Sequence, residues 1–315
     1  MNILFIADPL ASFKIYKDTT FAMMREAQKR GHPIFACEPH QLVWQSGQAV
    51  NAQVQQVHLT GKQDAWFEVQ GAPADRVLHS FDAVVMRKDP PFDSEYFYAT
   101  HLLEQAEREG AKVFNKPSAL RNHPEKLAIL EFAQFISPTL VTRDAQAIRA
   151  FHAMHRDIIL KPLDGMGGMG IFRVKDDALN LGAIIETLNR EGAQTVMVQK
   201  FLPAISQGDK RVLVIGGKVV PYCLARIPQG GEVRGNLAAG GKGVAQAISA
   251  RDEEIANAIG PVLAQRGLLL IGLDVIGDNL TEINVTSPTC FQEIFDQTDC
   301  DVAALFMDAL ESAAA

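Results

Sequence analysis

The sequence has no CxxC pair: its four cysteines, Cys37, Cys223, Cys290 and Cys300, are scattered along 315 residues. That spacing supports neither a zinc site nor a disulfide framework, and reduced cytoplasm is the expected compartment. No basic leader followed by a long apolar run opens the chain, and the stretch Leu268 to Ile276 is broken by Gly272 and Asp274. Neither a signal peptide nor a membrane span is therefore expected. Positive charge is also short, with 30 Lys and Arg against 37 Asp and Glu and a formal net charge of -7. This balance argues against nucleic acid or an anionic membrane surface as partner, so an anionic ligand must be met by local cations. Several catalytic signatures are missing too. His152 and His155 do not form HExxH, no GxSxG elbow occurs, and no P-loop exists because Lys161 precedes its glycines and Lys242 is followed by Gly243. No internal repeat or low-complexity tract is present.

What remains is the texture of a globular α/β protein, long enough for about two domains or three if one is small. Asn2 to Ala7 reads as a buried strand ending at Asp8-Pro9, followed by a helix capped by Asp18 and stopped at Gly31, then a strand from Pro33 to Cys37. A second unit has strand Ala83 to Met86, helix Glu95 to Glu109 with Ser94 as cap, and strand Lys112 to Phe114. An open parallel sheet of about 120 residues fits these signals. The loop Arg87-Lys88-Asp89-Pro90-Pro91-Phe92-Asp93 leaves the carboxyl end of a strand, where such sheets bind ligands, although a solvated Pro-rich turn would look the same. From Asn115 the texture changes, through Lys116-Pro117-Ser118, and Asn122-His123-Pro124-Glu125-Lys126 then opens a helix with Pro124 suited to its first turn. A small α+β unit follows, with helices Asp144 to His155 and Leu181 to Glu191 and strands Ile158 to Lys161, Ile171 to Val174 and Val196 to Lys200. Beyond it, Arg211 to Ile215 and Lys218 to Arg226 are joined by Gly216-Gly217, a hairpin signal. The glycine-rich stretch from Ile227 to Gly243 lacks periodicity and reads as a mobile active-site loop. Helix Ala250 to Arg266, hairpin Leu268 to Val285 and a helix near Asp301 to Leu310 complete the pattern.

Two motifs carry chemistry. Gly165-Met166-Gly167-Gly168-Met169-Gly170 matches GxGxxG, yet Ile171, Phe172 and Val174 read as strand, whereas a dinucleotide fingerprint opens a helix. A glycine-rich hairpin closing over nucleotide phosphates fits better, with Lys161 as a mobile cation and an ordinary turn as the plainer alternative. The second motif is Asp274 on one strand with Glu282 and Asn284 on the next. If Gly277-Asp278-Asn279 is a three-residue loop, Ile276 pairs with Leu280, and Asp274 falls opposite Glu282 with Asn284 on the same face. Opposed carboxylates and an amide oxygen suit Mg²⁺, although a solvated acidic face is the alternative. A two-residue loop would turn Asp274 to the other side. Cys290, close to this strand, reads as a buried and unreactive thiol.

Together these features resemble the ATP-grasp fold and, more narrowly, the bacterial glutathione synthetases. The resemblance runs end to end, through Met86 to Asp93, Leu160 to Gly168, Gly208 to Leu213, Tyr222 to Gly231, Arg234 to Gly241 and Thr281 to Thr289. It implies an N-terminal open parallel α/β domain (1–121), a small central lid domain (122–201) and a C-terminal antiparallel-sheet domain (202–315). It also implies ATP-driven ligation of γ-glutamylcysteine to glycine through an acyl phosphate. By the same resemblance, Lys126 and Lys161 meet nucleotide phosphates together with Gly165, Gly167 and Gly168. Gln199, Lys200, Phe201 and Leu202 meet adenine, and Asp209 the ribose. Asp274, Glu282 and Asn284 hold Mg²⁺, with Mn²⁺ as an alternative occupant. Arg87 and Ser287-Pro288-Thr289 contact the peptide, and Arg211, Arg226 and Arg234 supply positive charge. A homotetramer is implied as well. Met169 departs from the smaller residue expected at its position. Competing expectations are a ligase of the same fold with another acceptor and a non-catalytic ATP-binding regulator, the latter opposed by the three metal-ligand candidates.

Overall fold

The computed structural model describes the whole chain except Val233, Ala238 and Ala239. Its first sheet is built on β1 (Ile3–Ile6), β2 (Ile34–Cys37), β3 (Leu42–Val43), β4 (Asn51–Leu59), β5 (Phe67–Val77), β6 (Ala83–Met86) and β7 (Val113–Phe114), in the order β3-β4-β2-β1-β6-β7 with β5 paired to β4. The run β2-β1-β6-β7 is parallel and its first strands are fully buried, as near-continuous apolar tetrapeptides should be when both faces are covered. Strands β3, β4 and β5 extend the sheet in antiparallel fashion, over a region in which the sequence reading placed no element. The reason lies in β4. Ala52 and Val54 are buried, then Val57 and Leu59, so the period of two breaks where the register shifts between Val54 and Gln56.

Helices α1 (Thr19–Lys29) and α2 (Ser94–Arg108) connect the parallel strands. Asp18 caps α1 as expected, accepting from the Phe21 N–H at 2.7 Å. The cap of α2 is Asp93 rather than Ser94: its carboxylate accepts from the Tyr96 N–H at 2.9 Å, and Ser94 is already the first helical residue. The proline that begins a helix near the first texture change is Pro117, at the start of α3 (Pro117–Asn122), not Pro124. His123 has left helical geometry, as the residue before a proline tends to, and Pro124 begins a turn leading into a short 3-10 segment, Ala128–Phe135.

A four-stranded antiparallel sheet follows, in the order β10-β9-β11-β8, from β8 (Thr139–Thr142), β9 (Ile158–Pro162), β10 (Phe172–Val174) and β11 (Val196–Lys200). Strand β8 was not anticipated, because all four of its residues are only half-buried and show no alternation. Helices α4 (Ala145–His155) and α5 (Leu181–Asn189) cover this sheet and share with it a small apolar core around Ile148, Leu160, Ile185 and Val198.

The last sheet runs β14-β13-β12-β15-β16, from β12 (Asp209–Ile215), β13 (Lys218–Ile227), β14 (Lys242–Ala247), β15 (Leu270–Ile276) and β16 (Asn279–Asn284), and is antiparallel throughout. Helix α6 (Ala250–Gln265) packs on it, capped by Ser249 and Asp252 in a reciprocal box. Helices α7 (Phe291–Thr298) and α8 (Val302–Ala314) return to pack against α1, which ties the end of the chain to its beginning. No helix among the described residues is long and apolar enough to cross a membrane.

Candidate active site

A cavity of about 550 Å³ opens where the three sheets meet. Arg87 arrives from the carboxyl end of β6, Lys126 from the turn after α3, Lys161 from β9, Lys200 from the end of β11, Arg211 and Arg226 from β12 and β13, and Arg234 from the stretch between β13 and β14. Of the residues to which the resemblance gives a binding, charge-supplying or metal-holding role, all but Pro288 line it; Pro288 instead gives its carbonyl oxygen to Arg87.

The inner wall is a ladder of charged residues laid across adjacent strands. Arg226 on β13 pairs with Asp209 on β12, Arg211 on β12 with Asp274 on β15, and Asp274 with Glu282 on β16. Arg211 donates from Nε to Asp274 Oδ1 at 2.6 Å, while Arg226 Nη2 lies 2.8 Å from Asp274 Oδ2 and 2.5 Å from Asp209 Oδ2. Burial alone would raise the Asp274 carboxyl; the two guanidiniums outweigh it and hold the group far below the usual carboxylate range. Asp209 has the opposite outcome. Burial pushes its carboxyl up to about 7, Arg226 offsets this only in part, and the charge of Asp274 adds to it. The Oδ1 of Asp209 is buried without a hydrogen-bond partner among the described residues.

The opposition of Asp274 and Glu282 is reached by a route other than a three-residue loop. The turn is Gly277-Asp278 alone, with Gly277 at φ 58° and Ile276 paired to Asn279. By itself that loop would turn Asp274 away. A β-bulge at Thr281 adds one residue to β16 and restores the pairing of Asp274 with Glu282. The bulge also frees the Thr281 carbonyl, which accepts from Lys161 Nζ at 3.1 Å. Lys126 Nζ bridges Glu282 at 3.3 Å and the Gly165 carbonyl at 3.1 Å. Burial lowers the affinity of the Lys161 ammonium for its proton and nearby Lys126 adds to this, with Glu282 opposing.

The outer wall is the glycine hairpin. Strands β9 and β10 pair antiparallel, so the segment after Gly170 is a strand and the dinucleotide fingerprint is ruled out by structure as well as by sequence. Gly165, Gly167, Gly168 and Gly170 all have positive φ, between 65° and 100°, which explains why the turn needs four glycines. Met169 at its tip is 64% exposed. The hairpin meets the described part of the 227–243 stretch: Arg234 Nη1 lies 3.4 Å from the Gly168 carbonyl, and a Cβ on Gly168 would come within 2.7 Å of Asn236 Oδ1. Three residues of that stretch lie outside the described set, and its end, Lys242 onward, is strand β14 rather than loop.

At one end of the cavity Gln199 donates to Thr139 Oγ1, and Phe201 lies beneath the Arg173 guanidinium at 3.5 Å, with Lys200 and Leu202 beside them. At the other end Arg87, only 4% exposed, donates to Thr20 Oγ1 at 3.1 Å and to Pro288 O at 3.0 Å. Among the described residues no carboxylate pairs with it, and burial lowers its pKa. Ser287 and Thr289 stand nearby on the cavity wall. Sequence reasoning missed Glu125, which lines the cavity and holds the exit of β16, and Asn236 beside the hairpin; neither belongs to a spacing pattern that would have marked it.

Asp274, Glu282 and the Asn284 amide form an oxygen-only set, and no group of three or more His, Cys, Asp or Glu side chains poised for a metal exists among the described residues. Two carboxylates completed by ligand oxygens are what a hard divalent cation such as Mg²⁺ takes, so the donor chemistry fits one. Both carboxylates are neutralised by side-chain cations in this structure, by Arg211 and Arg226 for Asp274 and by Lys126 for Glu282.

Comparison with known proteins decides the family. Residues 1–121 match the description "Prokaryotic glutathione synthetase, N-terminal domain", and residues 125–299 match "Prokaryotic glutathione synthetase, ATP-grasp domain". The chain belongs to the prokaryotic glutathione synthetase family. It is 62% identical to the glutathione synthetase of Ralstonia nicotianae, over 100% of this chain and 96% of that protein. Identity is 58% to that of Neisseria meningitidis serogroup A, covering 98% of each, and 53% to that of Shewanella oneidensis, covering 98% and 97%. Among solved structures, D-cycloserine synthetase DcsG superposes with a TM-score of 0.68 at 14% identity over 100% of both chains. The ATP-grasp ligase PsnB, complexed with a precursor variant, Mg and ADP, gives 0.62 at 22% identity over 100% of this chain and 99% of that one. These structural neighbours show the ATP-grasp fold, and the family members share this chain's full length.

Proposed function

We propose that this protein is an ATP-dependent carboxylate–amine ligase that joins γ-glutamylcysteine to glycine, releasing glutathione, ADP and phosphate. The observation that carries this reading is the full-length similarity, at 53–62% identity, to proteins named glutathione synthetase. The cavity supports it physically. Phosphoryl transfer needs positioning and charge neutralisation, and this site concentrates both in a protein whose overall charge is negative.

In this reading the Gln199–Leu202 strand end takes the adenine, Asp209 the ribose, and Lys126, Lys161 and the Gly165–Gly168 amides the phosphates. Asp274, Glu282 and Asn284 hold Mg²⁺, which when bound neutralises charge on the phosphate oxygens. Arg87 with the Ser287–Thr289 turn holds the peptide. The cysteinyl carboxylate oxygen attacks the γ-phosphorus, the bond to ADP breaks, and an acyl phosphate forms. Glycine's amine then attacks the acyl carbon and phosphate leaves with the carboxylate's oxygen. Arg211, Arg226 and Arg234 stabilise charge on the transferring group. The hairpin and the 227–243 loop shield the acyl phosphate from water. The same reading makes the protein a cytoplasmic homo-oligomer.

The test is ADP release by purified protein with ATP and Mg²⁺, with and without γ-glutamylcysteine and glycine. Glutathione formed in equal amount to ADP supports the proposal. ADP release that ignores both substrates defeats it, and turnover with an amine other than glycine would indicate a ligase with a different acceptor.

A further inference from the structure

The turn that leaves β16, Val285 to Thr289, is held by side chains from much earlier in the chain. Asn115 donates to the Val285 carbonyl at 2.8 Å and Arg87 to that of Pro288 at 3.0 Å. The densest attachment is Glu125. Its Oε1 accepts from the Val285 N–H at 2.9 Å, the Thr286 N–H at 3.1 Å and the Thr286 hydroxyl at 2.8 Å, and its backbone carbonyl accepts from the Ile283 N–H at 3.0 Å.

We propose that Glu125 is a positioning residue that fixes the Val285–Thr289 turn, and so the peptide-binding end of the cavity, against the phosphate-binding Lys126. This inference rests on the ligase reading given above. A carboxylate receiving three donors at one oxygen is held more firmly than any single neutral hydrogen bond would hold it. The next residue, Lys126, reaches the glycine hairpin through the Gly165 carbonyl and β16 through Glu282. Two consecutive residues therefore tie the glycine hairpin of the four-stranded sheet to β16 and its exit turn on the last sheet. Glu125 lines the cavity, and with Oε1 engaged by three protein donors it holds the turn that forms the end of that cavity.

Steady-state kinetics of the purified full-length protein test this. Glu125→Ala is expected to raise KM for γ-glutamylcysteine about tenfold and to lower kcat, because small displacements of a substrate-holding turn are costly. KM for ATP changes by less than about twofold, since Lys161 and the Gln199–Leu202 end are held by other contacts. Glu125→Gln, whose amide oxygen still accepts from the same donors, restores most of the peptide KM. Thr286→Val removes only the hydroxyl donor, gives a smaller rise in the same direction and adds little on top of Glu125→Ala.

An unchanged peptide KM in folded Glu125→Ala overturns the proposal, as do equal rises in KM for ATP and for peptide. Should Glu125→Ala not fold, the other two variants decide: a wild-type peptide KM in Thr286→Val, or no peptide binding in Glu125→Gln, overturns it equally. The two readings fail separately. A wild-type protein that makes no glutathione sinks the ligase reading and the role built on it, whereas active wild type with unshifted variants sinks the positioning role alone.

Discussion

On the inner side of the cleft, Arg211, Arg226, Asp209 and Asp274 are buried on neighbouring strands of one sheet and locked together by ion pairs; on the outer side, Gly165 to Gly170 form a turn with exposed methionines. The contrast separates two requirements of phosphoryl chemistry. Charges that must be in place before substrate arrives are preorganised by cross-strand pairing and by the low-dielectric sheet interior. In the proposed function, the groups that admit a nucleotide and then cover it stand on glycines, which leave backbone N–H groups free to approach phosphate.

The sharpest way to break the inner wall is Asp274→Ala. It leaves two buried guanidiniums without this counter-charge, so stability should fall by about 3–5 kcal/mol, and ligase activity should disappear. Urea denaturation and product formation measure the two effects, and a variant of normal stability would mean the ladder does not hold the sheet. Lys161→Met should separate function from fold. Turnover is expected to drop about 100-fold or more for loss of the cation proposed to meet phosphate, with the melting temperature kept or raised because burial already disfavours the ammonium. Gly168→Ala probes the outer wall. At φ +81°, with a Cβ 2.7 Å from Asn236 Oδ1, alanine is strained and collides with the facing loop. Roughly tenfold loss in kcat/KM is expected, with a stability loss of only about 1 kcal/mol, since the tip carries little packing.

A different kind of effect is on pH dependence. The carboxyl of Asp209 is raised above its ordinary range to about 7, so between about pH 4 and 7 the folded state binds the proton more tightly than the unfolded chain. This group's contribution to stability therefore falls as pH rises through that window and levels off above it. Asp209→Asn should flatten the slope, as measured by urea midpoints across the range; an unaltered slope would assign the titration elsewhere.

Much of this organisation is legible in the chain, and the illegible parts have identifiable causes. The apolar tetrapeptides of β1 and β6, the Asp18 cap and the Gly216-Gly217 hairpin are local signals and appear where the residues place them. The loop between β15 and β16 was misjudged by one residue, and the Thr281 bulge cancels the difference. Its mark is in the sequence: Leu280 and Ile283 are three apart and both buried, which strict alternation forbids. The pairing of Arg211 and Arg226 with Asp274 was not legible, because it joins residues on three strands with no common spacing. Glu125 lay hidden for a related reason, since its donors are some 160 residues away and its neighbour Pro124 suggested a helix start.

The most direct measurement of the central claim uses γ-glutamylcysteine whose cysteinyl carboxylate carries heavy oxygen. If that carboxylate is phosphorylated and then captured by glycine, the phosphate released must contain one labelled oxygen and the glutathione must retain the other at its new amide. Phosphate free of label, formed while glutathione accumulates, would contradict the acyl-phosphate route and with it the role assigned to both walls of the cleft.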